Sequence, residues 1–210
     1  MNSDDIKREY ERLGYQFGWT FLLCPEARLD DASVAIVGLN PGGSHQGNGQ
    51  WDCPEGNVFY TQRWANDDRD YSPIQRQVHA WHECLGLASN ETLLAEFIPF
   101  RSPSEAKLDH YADAVAFGRT LWRWLLDRSA ATTFLCMGNR AFRELTWLVD
   151  AQRVATFPTS WGLQVIELWM DGAGRRIIRM PHPSRYRLFG RAEAAKSEVA
   201  RRSLCAAVRA

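Results

Sequence analysis

No two of the five cysteines form a C-x-x-C pair. Cys24, Cys53, Cys84, Cys136 and Cys205 are scattered and odd in number, which argues against a disulfide scaffold and for reduced thiols. No apolar run is long and uncharged enough to span a membrane. The opening Met1-Asn2-Ser3-Asp4-Asp5 is acidic and polar, unlike the basic start and apolar stretch of a secretory signal. Together these absences lead us to expect a cytoplasmic chain. No Gly-Lys-Ser/Thr follows Gly42-Gly43, so a P-loop is excluded, and the dinucleotide fingerprint is missing as well. His79, His82, Glu83 and Cys84 crowd one helical segment without a second ligand pair, so we expect no metal site.

Net charge is also absent, with 25 basic and 25 acidic residues. That excludes a uniformly basic nucleic-acid binder, yet the charge is unevenly spread. From residue 175 onward, Arg175, Arg176, Arg179, Arg185, Arg187, Arg191, Lys196, Arg201, Arg202 and Arg209 face only Glu193 and Glu198. The preceding part is correspondingly acidic. Such asymmetry gives one end able to meet phosphates, or simply a solvated Arg-rich helix.

What is present suits one domain over residues 1–210, with no repeat or linker. The pattern predicts helices over 3–13, with Ser3 as N-cap, from Ser72-Pro73 to about Leu87, from Ser104 to Arg128, after Gly138, and from about Ala192 to Val208. Predicted strands are Ser33–Leu39, Leu93–Phe97, Thr132–Met137, Val154–Phe157, Leu163–Trp169 and Arg176–Met180. Asp171-Gly172-Ala173-Gly174 turns between the last two. Residues 41–57, rich in Gly, Pro, Asn and Gln, read as a loop. Alternating strands and helices imply a three-layer α/β/α fold around a mostly parallel sheet of about four strands.

Two short motifs carry the chemistry. Gly38-Leu39-Asn40-Pro41-Gly42-Gly43 follows the first strand, and Pro181-His182-Pro183-Ser184-Arg185 follows the last. Residues just beyond the carboxyl ends of parallel strands converge on one crevice, where ligands bind. Each motif alone is also an ordinary turn, because Gly, Asn and Pro favour turns. As a pair they resemble the uracil-DNA glycosylase superfamily, whose members carry a water-activating G-x-N-P-G or G-x-D-P loop and an H-P-S loop. The resemblance implies a uracil-DNA glycosylase-like fold and a monofunctional enzyme that hydrolyses the N-glycosidic bond of a flipped pyrimidine in DNA, acting as a monomer without a cofactor. The iron–sulfur cluster of some superfamily branches is not expected here, because the close cysteine pair is missing.

The resemblance also implies roles. Asn40 would orient the attacking water, within a base pocket begun by Gly38 and Leu39. His182 would donate a hydrogen bond to O2 of the leaving base. Gly42, Gly43, Ser184, Arg185 and Arg187 would lie along the DNA backbone. Leu188, or else Tyr186, would wedge into the duplex, the competing reading being that Leu188 and Phe189 anchor the last helix. Phe59 or Tyr60 would stack on the flipped base, or else pack the core. Glu96 would stand where uracil-specific members read the pyrimidine edge with Asn. A carboxylate accepts hydrogen bonds, donates none unless protonated, and suits the amino group of cytosine better than O4 of uracil. Protonated by burial, it would help protonate the cytosine ring. This leans the substrate toward a modified cytosine, with uracil as the alternative. The competing reading of Glu96 is an exposed strand-end residue or one paired with Arg101 or Lys107. The loop with Gly47, Gly49 and Gly56 would widen the pocket, through His45, Gln46, Asn48 and Gln50, or else be a plain surface loop. A non-catalytic nucleic-acid-binding module and a small-molecule nucleosidase are the rival classes.

Overall fold

The computed structural model describes residues 1–43, 47–64 and 70–210. Its centre is one six-stranded sheet in the order β2-β1-β3-β6-β5-β4. The strands are β1 (Val34–Gly38), β2 (Thr92–Glu96), β3 (Thr133–Met137), β4 (Gln152–Trp161), β5 (Gln164–Met170) and β6 (Arg176–Met180). β2, β1, β3 and β6 run parallel, whereas β5 and β4 are antiparallel additions on the β6 side. β2 and β3 are buried along their whole length and β1 along all but its last residue, as strands covered on both faces must be. β4 is mostly exposed, and as an edge strand it tolerates Pro158.

The helices are α1 (Ser3–Arg12), α2 (Arg28–Asp31), α3 (Val58–Thr61), α4 (Pro73–Leu85), α5 (Tyr111–Arg128), α6 (Asn139–Leu148) and α7 (Ala194–Arg209). α5 packs with α6, and α4 packs with α7, an arrangement compatible with three α/β/α layers. Cys84 Sγ on α4 lies 3.1 Å from Cys205 Sγ on α7. α5 also fixes the end of β2. Gly118 lets the helix approach so closely that a Cβ there would stand 2.6 Å from the Phe97 carbonyl, and Trp122 Nε1 donates to the Glu96 carbonyl at 3.0 Å.

The elements depart from the sequence reading in several places. The sheet has six strands rather than about four, because the hairpin formed by β4 and β5 continues it instead of standing apart. Asn2, not Ser3, caps α1, and its side chain accepts from the Asp4 and Asp5 amides in a capping box. α5 starts at Tyr111. The residues before it form only a 3₁₀ turn, Glu105–Lys107, since His110 takes a left-handed conformation and interrupts the helix. Residues 50–53 are tied down rather than looped out, bonded to an unforeseen extended segment, 19–24. That segment in turn runs antiparallel along β2, with Glu96 N–H donating to Phe21 O and Leu23 N–H to Leu94 O. It covers the outer edge of β2, which would otherwise expose unpaired backbone groups.

Candidate active site

The chain leaves β1 for β2 on one side and later places β3 on the other. The connections therefore diverge above the carboxyl end of β1, and such a switch point opens a crevice. Four connections meet on this rim: those after β1, β2, β3 and β6.

The β1 and β2 connections are zipped together. Phe97 N–H donates to Gly38 O, Ile98 N–H to Leu39 O and Ser102 N–H to Pro41 O, at 2.8–3.1 Å. Arg101 donates to the Gly42 carbonyl at 2.6 Å. Asn40 is locked between them. Its Nδ2 donates to Phe100 O at 3.2 Å, Ser102 Oγ at 2.9 Å and Pro41 O at 3.1 Å. Two of those partners are carbonyls, which accept only, so the amide can face them only through its NH₂. Its Oδ1 is left as an acceptor with no donor among the described residues.

Glu96 pairs in register with Gly38, and its carboxyl group lies over the Gly38 Cα. A Cβ at residue 38 would collide with Glu96 Oε2 and stand 2.8 Å from Cδ. Oε2 is buried with no hydrogen-bond partner among the described residues. Burial pushes the Glu96 pKa up to about 8, opposed only by the positive charge of Arg101. At neutral pH the group is therefore mainly a carboxylic acid, with one proton to donate and one oxygen to accept. Of the two forms weighed for Glu96, burial favours the protonated one over the accepting carboxylate. Gly38→Ala should displace the Glu96 side chain. We expect lower thermal stability and a Glu96 titration moved toward the ordinary carboxylate range, measured by NMR of the labelled carboxyl carbon. An unmoved titration would mean the side chain has room the structure does not show.

His182 leaves β6, two strands from β1 and about 10 Å across the sheet. Its Nδ1 accepts from the Ser184 backbone N–H at 3.3 Å and lies 2.8 Å from Ser184 Oγ. A ring nitrogen that accepts an N–H carries no proton, so the neutral ring bears its proton on Nε2. Burial, reinforced by the Arg185 charge, lowers the His182 pKa, so the neutral form prevails at pH 7. The Arg185 and Tyr186 amides both donate to His182 O, which fixes the backbone. Gly138, at the end of β3 between the two motifs, has φ +87° and donates to Met180 O at 2.9 Å. A Cβ there would stand 3.1 Å from His182 Cδ2, so only glycine leaves this part of the rim clear.

The other expected residues divide. Leu39 is half-buried, and Gly42 and Gly43 are exposed beside Arg101. Ser184, Arg185 and Arg187 are exposed, but the Ser184 hydroxyl is engaged with His182. Leu188 is 1% exposed and Phe189 2%, and Phe189 exchanges two backbone bonds with the Gln77 side chain. In this conformation Leu188 is core and not a wedge. Tyr186 is half-buried, its ring edge-on to Trp161.

Phe59 and Tyr60 are not brought to the rim. Phe59 is buried. The Tyr60 hydroxyl bonds His82 Nδ1, and His82 Nε2 bonds Thr92, the first residue of β2. Thr92 lies four residues, roughly 13 Å, from Glu96. His79 bonds the Phe59 carbonyl. Of the Gly-rich loop, Gly47, Asn48, Gly49 and Gln50 are exposed and Gly56 is half-buried, while Ser44, His45 and Gln46 lie outside the described residues. The basic end is partly neutralised: Arg175 pairs with Asp171, Arg179 with Glu167, Lys196 with Glu193, and Arg201 and Arg202 with Glu198.

Ser102 was not anticipated, and Arg101 only as a partner for Glu96. Ser102 positions Asn40, and Arg101 braces the glycine turn. Neither belongs to a recognisable motif, and only the pairing of the two connections brings them to the site. No protein-family model matches the chain, and no curated protein matches it.

Proposed function

We propose that this chain is a DNA glycosylase similar to the uracil-DNA glycosylase superfamily, which removes a flipped pyrimidine base and leaves an abasic site. The observation that carries the reading is a complementary pair on one rim: an amide whose acceptor alone is free among the described residues, and a neutral imidazole whose donor alone is free among them. Each is held by backbone or short side-chain groups. Hydrolysis of a glycosidic bond calls for that combination. A water held by Asn40 Oδ1 attacks C1′ as the C1′–N1 bond breaks, and the proton that the water loses passes to solvent. The bonding pair leaves with the base, and His182 Nε2–H stabilises the charge growing on O2.

Glu96 supports a cytosine-type substrate, though by a different route from charge discrimination. The neutral acid fits the N3/N4 edge of cytosine by donating to N3 and accepting from N4. By turning its hydroxyl it also fits the N3/O4 edge of uracil. What sets the two apart is the proton. Transfer to N3 turns cytosine, a poor leaving group, into a better one, whereas uracil leaves as an anion. A modified cytosine is therefore the favoured substrate and uracil the second reading.

The deciding experiment is incubation with oligonucleotides carrying different modified pyrimidines. Abasic sites are then cleaved with alkali and the released bases weighed by mass spectrometry. A released base with alkali-labile ends supports the reading. Salt-dependent DNA binding without release points to a binding module, and release from nucleosides alone points to a nucleosidase.

Arg185 and Arg187 are exposed, Arg185 close enough to His182 to lower its pKa, and neither forms an ion pair among the described residues. Arg185→Ala or Arg187→Ala should weaken DNA binding across all sequences. The slope of log affinity against log salt should flatten by about one for each phosphate that is no longer neutralised. Unchanged slopes in both variants would return these arginines to the solvated surface.

A further inference from the structure

The cysteines divide by their surroundings. Cys24, Cys53 and Cys136 are buried, whereas Cys84 and Cys205 are only partly so. Cys84 lies in the last turn of α4 and Cys205 in the second half of α7. They are 121 positions apart in the chain, yet their Sγ atoms stand 3.1 Å from each other. Each thiol is aimed by a hydrogen bond across the helix interface. Cys84 Sγ donates to the Arg201 carbonyl of α7 at 3.4 Å, and Cys205 Sγ donates to the Cys84 carbonyl of α4 at 3.3 Å. Arg201 is about one helical turn before Cys205, so both bonds draw the sulfurs to the same spot.

A disulfide needs about 2.05 Å between its sulfurs. Closing the gap takes roughly 1 Å of travel, or half of that from each side chain. The bond would also join two parts of the fold that hold the candidate site. Gln77 of α4 exchanges two hydrogen bonds with the Phe189 backbone, each at 3.0 Å. Phe189 belongs to the segment that leads from His182 into α7. Joining α4 to α7 therefore secures the helix on which that segment ends.

We propose that Cys84 and Cys205 are a site of oxidative modification, at which a peroxide makes a reversible disulfide that ties α4 to α7. One sulfur, as thiolate, attacks the O–O bond of hydrogen peroxide and becomes a sulfenic acid, with water as the other product. The second sulfur attacks the sulfenic sulfur, the S–O bond breaks, and the hydroxyl leaves as water with the second thiol's proton. The two thiols lose two protons and two electrons, and the peroxide is reduced to two waters. A dithiol reductant reverses the change. Burial pushes the Cys84 pKa up to about 12, so Cys84 holds its proton at neutral pH. That suits a link made under sustained oxidation rather than a fast peroxide sensor. The inference does not depend on the glycosylase reading.

The test treats the folded full chain with hydrogen peroxide, alkylates the remaining thiols after unfolding, and maps an unreduced digest by mass spectrometry. We expect a peptide pair joined through Cys84 and Cys205, lighter by two hydrogens than the free peptides and separated by dithiothreitol. Cys136, fully buried on β3, should be recovered as the alkylated thiol and serves as the internal control. Because the link bridges 121 positions, the oxidised protein should melt about 5 °C above the reduced one. Cys84→Ser and Cys205→Ser should each abolish the joined peptide and the shift. Serine keeps an O–H for the carbonyl that each thiol now faces, so both variants should fold. Oxygen adducts on either cysteine without a joined peptide, or unchanged masses, would overturn the proposal. So would a melting temperature that falls as the link forms, since the bond would then strain the packing of α4 on α7. None of these failures bears on the glycosylase reading.

Discussion

Asn40→Ala and His182→Ala will each lower single-turnover base release by about a hundredfold or more, the scale of one lost transition-state hydrogen bond in a preorganised site. Both residues lie on connections rather than in strands or helices, so the melting temperature should change little by comparison. Asn40→Asp is the informative companion. A carboxylate is a stronger base than an amide, and on chemistry alone it would speed water attack. Here it would face the carbonyls of Phe100 and Pro41, which now accept from Nδ2. It would forfeit those hydrogen bonds and stand against two acceptors, so we expect Asn40→Asp to be slower than wild type at neutral pH. Near-normal release by both alanine variants, measured on whichever oligonucleotide the wild type cleaves, would remove the catalytic assignment.

Glu96→Gln should have two large and opposite effects. The folded protein holds the Glu96 carboxyl near pKa 8, well above the unfolded value near 4.3. A raised carboxyl pKa means the unfolded state ionises first. The stability contributed by the neutral group is thus fully present below about pH 4 and lost as pH rises through about 8. Across that window the loss amounts to a few kcal/mol at most. Glutamine has no charge to desolvate, so Glu96→Gln should raise the melting temperature at about pH 8–9 relative to wild type and flatten its decline. Release of a cytosine-type base should fall by about a hundredfold, the scale of a lost general acid. Wild-type release of such a base should also drop above about pH 8, where the donor is ionised. Uracil release should change far less, because uracil needs no proton from Glu96. Equal melting curves for wild type and variant at about pH 9 would refute the buried-acid picture. A pH-independent rate on a cytosine substrate would leave the fold argument intact but remove Glu96 from the chemistry.

The opposition of these effects is itself informative. A buried acid without a partner weakens the fold, and groups of this kind collect where function requires a shifted pKa. Trp122, Gly118 and the 19–24 segment hold the end of β2 firmly enough to keep that acid out of water. Positioning Glu96 thus draws on residues far from the motifs.

Local signals in the amino-acid order were enough to place much of this protein. The apolar runs 34–37, 133–137 and 177–180, with their turn residues, located the parallel strands, because strand burial and turn geometry depend on near neighbours. For the same reason Asn40 and His182 could be set at strand ends, and Asp171–Gly174 read as a turn. The tertiary structure alone decided how those residues are held. The orientation of the Asn40 amide comes from Phe100 and Ser102, some sixty positions away. The proton on Glu96 comes from burial beneath elements that no local pattern reveals. Leu188, Phe59 and Tyr60 carry side chains that suit either a core or an interface, and only packing distinguishes the two. Cys84 and Cys205 read as scattered thiols until the packing of α7 on α4 sets them side by side. Hydrophobicity and turn preference are properties of short segments, whereas solvent access and hydrogen-bond partners are set by segments distant in the chain.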